Sequence, residues 1–250
     1  MYYYIFEPPL EAKEYERTAQ IKEYLATIGI AGEMTAPTPG RSVEDLIQLA
    51  IGKRYSTIIA VGGVELINQV ARGLEPHDVV FGIIPFQENP DIELLTGVSA
   101  WKEAADALKR RRWQPVRLGL LNQGMCFLTP ATVSLPDGAG FTLVSPDFTV
   151  KGQGGELSIT PLAGEPGQAG RLLIEITHPQ PKRKGLLSGL LKQASSLPMD
   201  SRFEVEKAEL TTEGSHRVMV AGAEFCTTPA TYDTQEKPLR LIVSRSTAQV

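Results

Sequence analysis

The stretch "STIIAVGGVELINQVARGL", Ser56–Leu74, passes from an apolar run through two glycines into a helical pattern. "STIIAV" is too short for a helix and apolar at successive positions, which predicts a strand buried on both faces of a parallel sheet. After Gly62 and Gly63, the residues Ile67, Val70, Ala71 and Leu74 recur on one helical stripe. A strand that turns through Gly-Gly into a helix places backbone N–H groups and the positive end of a helix dipole at the carboxyl edge of the sheet. That geometry suits an anion, although a tight turn with no ligand has the same form. The filling is unusual for a phosphate cradle, because Val64, Glu65 and Leu66 follow the glycines. The stretch is neither G-x-G-x-x-G nor a Walker A loop.

Working outward, the first half alternates short apolar runs with helical periodicity, as βα units do. "YYYIFEP" predicts the first strand, and Ala12 to Ile28 a helix stopped by Gly29. Ser42 with Asp45 has capping-box spacing at the start of "VEDLIQLAIGKR". "VVFGIIPF" predicts a further strand and "SAWKEAADALKRRRW" a further helix. Beyond Gln123 the texture changes to short alternating runs such as "FTLVSPDFTV", "RLLIEITH" and "LRLIVSR", separated by Pro, Gly, Asp and Thr. The expected architecture is an α/β, Rossmann-like, mostly parallel domain over 1–122 and an antiparallel β-sandwich domain over 123–250.

Twenty-five basic residues against 29 acidic ones give a net charge of -4, which disfavours nucleic acid as a partner and requires any anion site to be local. Cys126 and Cys226 are far apart in sequence, with no metal-ligand spacing to the three histidines, so neither a disulfide framework nor a zinc site is expected. The N-terminal residues lack a secretory pattern, and no run of about 18 apolar residues occurs. A cytoplasmic protein is expected, with peripheral contact at the inner face of the membrane as a variant of that expectation.

The order of "GGVELINQVARGL", "VFGIIP", "FQENPDIELLTGV", "VRLGLLNQGMCFL" and a β-rich remainder resembles the diacylglycerol kinase-like lipid kinase family, across nearly the whole chain. In that family the loop reads Gly-Gly-Asp-Gly-Thr. Gly62 and Gly63 match it, while Val64, Glu65 and Leu66 depart from it. Asn68 stands where the family often has Asn. Ile84, Pro85 and Asp91 match the next motif, but Gln87, Glu88, Asn89 and Pro90 replace its Gly-Thr-Gly-Asn. Arg117 stands where an aspartate is usual. The family's Asp-Gly-Glu turn reads Ala221-Gly222-Ala223 with Glu224 one place late, and "IFEPP" lacks its Asn-Pro and Ser-Gly.

The resemblance implies nucleotide contacts at Gly62, Gly63, Glu65, Asn68 and Pro85, and ATP with magnesium as cofactors if the kinase activity is retained, otherwise none. A rebuilt magnesium site would draw on Glu65, Glu88, Asp91 and Glu224, all oxygen donors. The readings to be preferred for these residues are Glu65 as a first-turn acid on the helix dipole and Asp91 as the cap of a helix beginning after Pro90. At ~5 Å and an effective dielectric of ~20, one carboxylate against one phosphate charge costs roughly 3 kcal/mol. The expected function is therefore that of a degenerate lipid-kinase-like protein acting by ligand, lipid or membrane binding. The alternatives are an active ATP-dependent lipid kinase and a nucleotide-binding Rossmann-like protein with no lipid connection. The expected partners are a small-molecule nucleotide or a lipid. Lys182, Arg183 and Lys184, followed by Leu186, Leu187, Leu190 and Leu191, form a basic and apolar stretch suited to an anionic membrane interface, or to a short helix packed on the sandwich.

Overall fold

The structure is a computed structural model and describes residues 1–74, 77–163, 170–178 and 201–244. The first half supplies β1 (Tyr2–Phe6), α1 (Ala12–Thr27), β2 (Glu33–Thr35), α2 (Val43–Gly52), β3 (Thr57–Gly62), α3 (Val64–Leu74), β4 (Val80–Pro85), α4 (Pro90–Thr96) and α5 (Trp101–Arg110). The remaining strands are β5 (Trp113–Val116), β6 (Gly119–Leu121), β7 (Met125–Phe127), β8 (Ala131–Val144), β9 (Thr149–Pro161), β10 (Leu172–Thr177), β11 (Ser201–Val205), β12 (Ala208–Thr212), β13 (Arg217–Val220), β14 (Ala223–Thr227), β15 (Ala230–Thr234) and β16 (Leu239–Ile242).

A six-stranded sheet in the order β2-β1-β3-β4-β16-β5 carries the helices on its two faces. Both faces are covered because the central strands are apolar at every position. In β3, Ile58 and Ala60 pack toward α2 and α3, while Ile59 and Val61 pack toward α1 and α5. Tyr3 and Ile5 of β1 follow the first set, Tyr4 and Phe6 the second. Each isoleucine, valine or phenylalanine among them, withdrawn from water, contributes about 1.5–3 kcal/mol. The capping box expected at Ser42 is present: Ser42 Oγ accepts from the Asp45 amide at 3.1 Å, and Asp45 Oδ2 accepts from the Ser42 amide at 2.8 Å.

The second sheet has ten antiparallel strands along β11-β10-β9-β8-β12-β15-β6-β7, with β13 and β14 joined at β8. Leu121 and Phe127 from one end of that order share a core with Ile174 and Val205 from the other, so the sheet folds over on itself as a sandwich does. The 14-residue β8 makes this possible, pairing with β13 at Ala131–Thr132 and with β12 at Phe141–Val144.

Two features cross the expected division at 122/123. β6 already pairs in the second sheet, with β15 and β7. "LRLI", expected among the sandwich strands, is β16 and lies in the first sheet, parallel to β4 and antiparallel to β5. Leu239 and Leu241 enter the core beneath α3, in the place an inner strand of a doubly covered sheet must fill.

Candidate functional site

The helices divide the carboxyl edge of the first sheet at one point. β1 leads into α1 on one face and β3 leads into α3 on the other, and the two strands are neighbours with Phe6 opposite Val61. Ligands of open α/β sheets bind in the crevice at such a switch of direction. Here that crevice lies between Glu7 and the Gly62–Gly63 turn.

The crevice contains a carboxylate of the chain itself. The Glu7 amide donates to Val61 O at 2.8 Å, extending the strand by one residue, and Glu7 Oε2 accepts from the Gly63 amide at 2.5 Å. A Cβ on Gly62 would lie 2.6 Å from both Glu7 Cβ and Glu7 Oε2, so only glycine admits this side chain. Gly63 is the residue before α3, and its carbonyl accepts the first helical bond, from Ile67. In a capping box the N-cap amide is satisfied by an acid at the third helical position. That position is Leu66 here, and Glu7 supplies the acceptor from another strand.

Asn68, expected as a nucleotide contact, faces inward and is 2% exposed. Its Nδ2 donates to Val64 O at 2.8 Å and Thr129 Oγ1 at 2.6 Å, and its Oδ1 accepts from the amides of Leu128 at 2.8 Å and Thr129 at 3.2 Å. The amide is thereby saturated and ties α3 to the entrance of the second sheet. Arg72, one turn further on, places its guanidinium 5.5 Å from the Phe225 ring. Pro85 ends β4 opposite Gly62, and the Phe86 amide donates to Gly62 O at 3.2 Å.

The four acids suggested as metal ligands are distributed over separate elements. Glu65 lies exposed on the first turn of α3, accepting from Gln69 at 3.3 Å. Glu88 is exposed in the loop after β4. Glu224 pairs with Arg217 at 3.2 Å on the second sheet. Asp91 sits in the first turn of α4, whose cap is Asn89 rather than Asp91: Asn89 Oδ1 accepts from the amides of Asp91 at 2.8 Å and Ile92 at 3.1 Å, with Pro90 leading the helix. Burial, and secondarily the charge of Glu175, holds the Asp91 carboxyl above its ordinary value. Among the described residues, no three His, Cys, Asp or Glu side chains form a group able to hold a metal ion. The donors present therefore do not fit a magnesium-bound triphosphate, with Glu7 against the glycine turn and the other acids dispersed. The basic stretch Lys182–Leu191 lies outside the described residues. No helix among the described residues is long and apolar enough to cross a membrane.

Sequence reasoning missed Glu7, although a signal was present: an acid directly after the first expected strand, where the resembling family has Asn-Pro.

No family model matches the sequence, and no curated protein matches it. Solved structures do. A diacylglycerol kinase from Bacillus anthracis str. Sterne superposes with a TM-score of 0.66 at 14% identity, covering 97% of this chain and 96% of that one. A second structure described as a diacylglycerol kinase of the same organism gives 0.68 at 14% identity, with 96% and 97% covered. The chain has a diacylglycerol kinase-like fold. Yeast NADH kinase in complex with NADH is a more distant neighbour of this lipid-kinase-like fold, with a TM-score of 0.54, 8% identity, and 98% and 84% covered. At these identities the likeness carries the arrangement of two sheets and the crevice between β1 and β3, and the chemistry must be argued from the side chains.

Proposed function

We propose that the protein is a lipid-kinase-like pseudokinase that acts by recognition, through ligand, lipid or membrane binding, and does not transfer phosphate. The observation that carries this reading is the Glu7 carboxylate hydrogen-bonded to Gly63 in the switch-point crevice. Phosphoryl transfer depends on donors around the phosphates and on cations that neutralise them. The glycine turn instead has its amide engaged by a negative group, with Val64, Glu65 and Leu66 in place of residues that would let a second anion approach. The saturated Asn68 clamp supports the same reading, since it gives the start of α3 a structural use that joins the two sheets.

The test combines thermal shift with ATP and magnesium and labelled-phosphate transfer to diacylglycerol in mixed micelles. Neither a magnesium-dependent gain in the nucleotide shift nor transfer above a protein-free control is expected. Transfer that disappears in an Asp91→Ala variant would refute the proposal.

A further inference from the structure

With the glycine turn closed by Glu7, the same edge of the first sheet remains open on the opposite face. There, the N-terminal ends of α1 and α5 border a cavity of about 480 Å³. Phe86, 8% exposed, and the half-buried Trp101 supply its apolar surface, and Lys13, Arg17 and Lys102 its cations. None of these three cations has a carboxylate partner among the described residues' salt bridges. Two of them are held by aromatic contact instead. The Arg17 guanidinium lies 5.7 Å from the Trp101 ring centroid, and Lys102 Nζ lies 5.4 Å from it and 6.0 Å from that of Tyr24.

Two acids also line the cavity. The Glu14 carboxylate is committed to the start of α1, accepting from the amides of Leu10 at 2.7 Å and Glu11 at 3.3 Å. Glu88 is exposed in the loop after β4. The cations thus exceed the acids, and α5 adds to the imbalance because its cap residue, Ala100, makes no side-chain cap. A guanidinium settled on an indole face, with its fork unclaimed by a carboxylate, is prepared for a doubly bonded oxyanion.

We infer that this α1/α5 cavity is an anion-binding site, distinct from the glycine turn, that takes a small soluble phosphorylated compound. Its volume falls within the range of small-molecule pockets. Its concavity fits a discrete ligand better than a flat lipid surface. The site goes beyond the pseudokinase proposal and stands or falls independently of it.

Trp101 is a reporter within the site. In a Trp113→Phe background it is the only tryptophan, and titration with inorganic pyrophosphate at constant ionic strength should change its emission with saturation. Arg17→Gln should weaken the apparent affinity about tenfold, the loss of one charge-assisted contact, and Lys102→Gln should weaken it in the same direction. Arg217→Gln, which removes a cation paired with Glu224 on the second sheet, should leave this titration unchanged, which separates the site from a general effect of charge. A linear response reproduced by potassium chloride, or saturation undiminished in both Arg17→Gln and Lys102→Gln, would overturn the inference. So would sedimentation with phosphatidic acid vesicles in the absence of any pyrophosphate response, since the cations would then serve a membrane surface. Far-ultraviolet circular dichroism of each variant confirms that folded protein is compared.

Discussion

Replacing Glu7 by Ala should convert the glycine turn from a site occupied by the chain's own carboxylate into one open to external anions. Two opposing magnitudes follow from the geometry. The bond from the Gly63 amide to Glu7 Oε2, at 2.5 Å, is charge-assisted and partly solvated, so its loss should cost about 1–2 kcal/mol. Against this, a tetrahedral anion reaching the vacated amide stabilises the native state by RT ln(1 + [L]/Kd), or about 1.4 kcal/mol at ten times Kd. Urea denaturation of wild type and Glu7→Ala, each in sodium sulfate and in sodium chloride of matched ionic strength, measures both quantities. Sulfate stabilises proteins in general through exclusion from their surface, and that increment is common to both chains. The variant should be less stable in chloride and should recover most of the deficit in sulfate, through an increment larger than that of wild type. Sulfate binding in the α1/α5 cavity cancels in the same comparison, because Glu7 does not line it. Equal sulfate increments in the two chains would refute the argument that Glu7 occupies an anion site. Unchanged stability in chloride would refute the bond itself.

Asn68→Leu should lower stability by about 3–5 kcal/mol in urea denaturation, because it strands the buried amides of Leu128 and Thr129 and removes a partner of Thr129 Oγ1; a loss below about 1 kcal/mol would show that the clamp is dispensable. Gly62→Ala should cost about 1–3 kcal/mol by driving a methyl into Glu7, and a Glu7→Gly change on top of it should restore part of that loss, with no coupling in the double-mutant cycle as the contrary result. For Asp91, the folded-state carboxyl titrates above its unfolded value, so the fold gains from protonated Asp91 in acid and loses that gain as pH rises through the raised value. Asp91→Asn should therefore raise the melting temperature near neutral pH and lose its advantage in acid; an advantage independent of pH would contradict the assigned cause. Ser42→Ala should cost about 1 kcal/mol by thermal or urea unfolding through loss of the α2 cap.

Much of the first sheet was legible because its signals are local. The all-apolar "STIIAV", the helical spacing from Ala12, and Ser42 with Asp45 each state their structure within a few residues, and each appears as β3, α1 and the α2 cap. The strand "LRLI" also announced itself as a strand, but alternation does not say which sheet a strand joins, and its pairing with β4 depends on contacts from the opposite end of the chain. Asp91 was judged by its distance from Pro90, whereas Asn89 occupies the cap because proline belongs at the first helical position, one residue after it. Asn68 looked like a polar residue on a helix near a candidate phosphate site. Its partners are 60 and 61 residues away, and no periodicity could have shown that its amide is spent on Leu128 and Thr129.

The candidate site itself was legible in its charge and illegible in its geometry. Sequence reasoning assigned the negative potential at the glycine turn to Glu65, two residues beyond Gly63, and derived from it a cost for phosphate binding. In the structure Glu65 points to Gln69 and solvent, where its charge is screened and its effect on a crevice ligand is small. The carboxylate in the crevice belongs to Glu7, 56 residues earlier in the chain, and it is bonded to the very amide a phosphate oxygen would need. The Coulomb argument therefore transfers from one residue to another and gains force, since a group already bound to the donor must be displaced as well as repelled. It also gives the first glycine of the turn a structural reason of its own. Gly62 is required by the Glu7 side chain that packs on it, and this requirement holds whether or not any nucleotide ever enters.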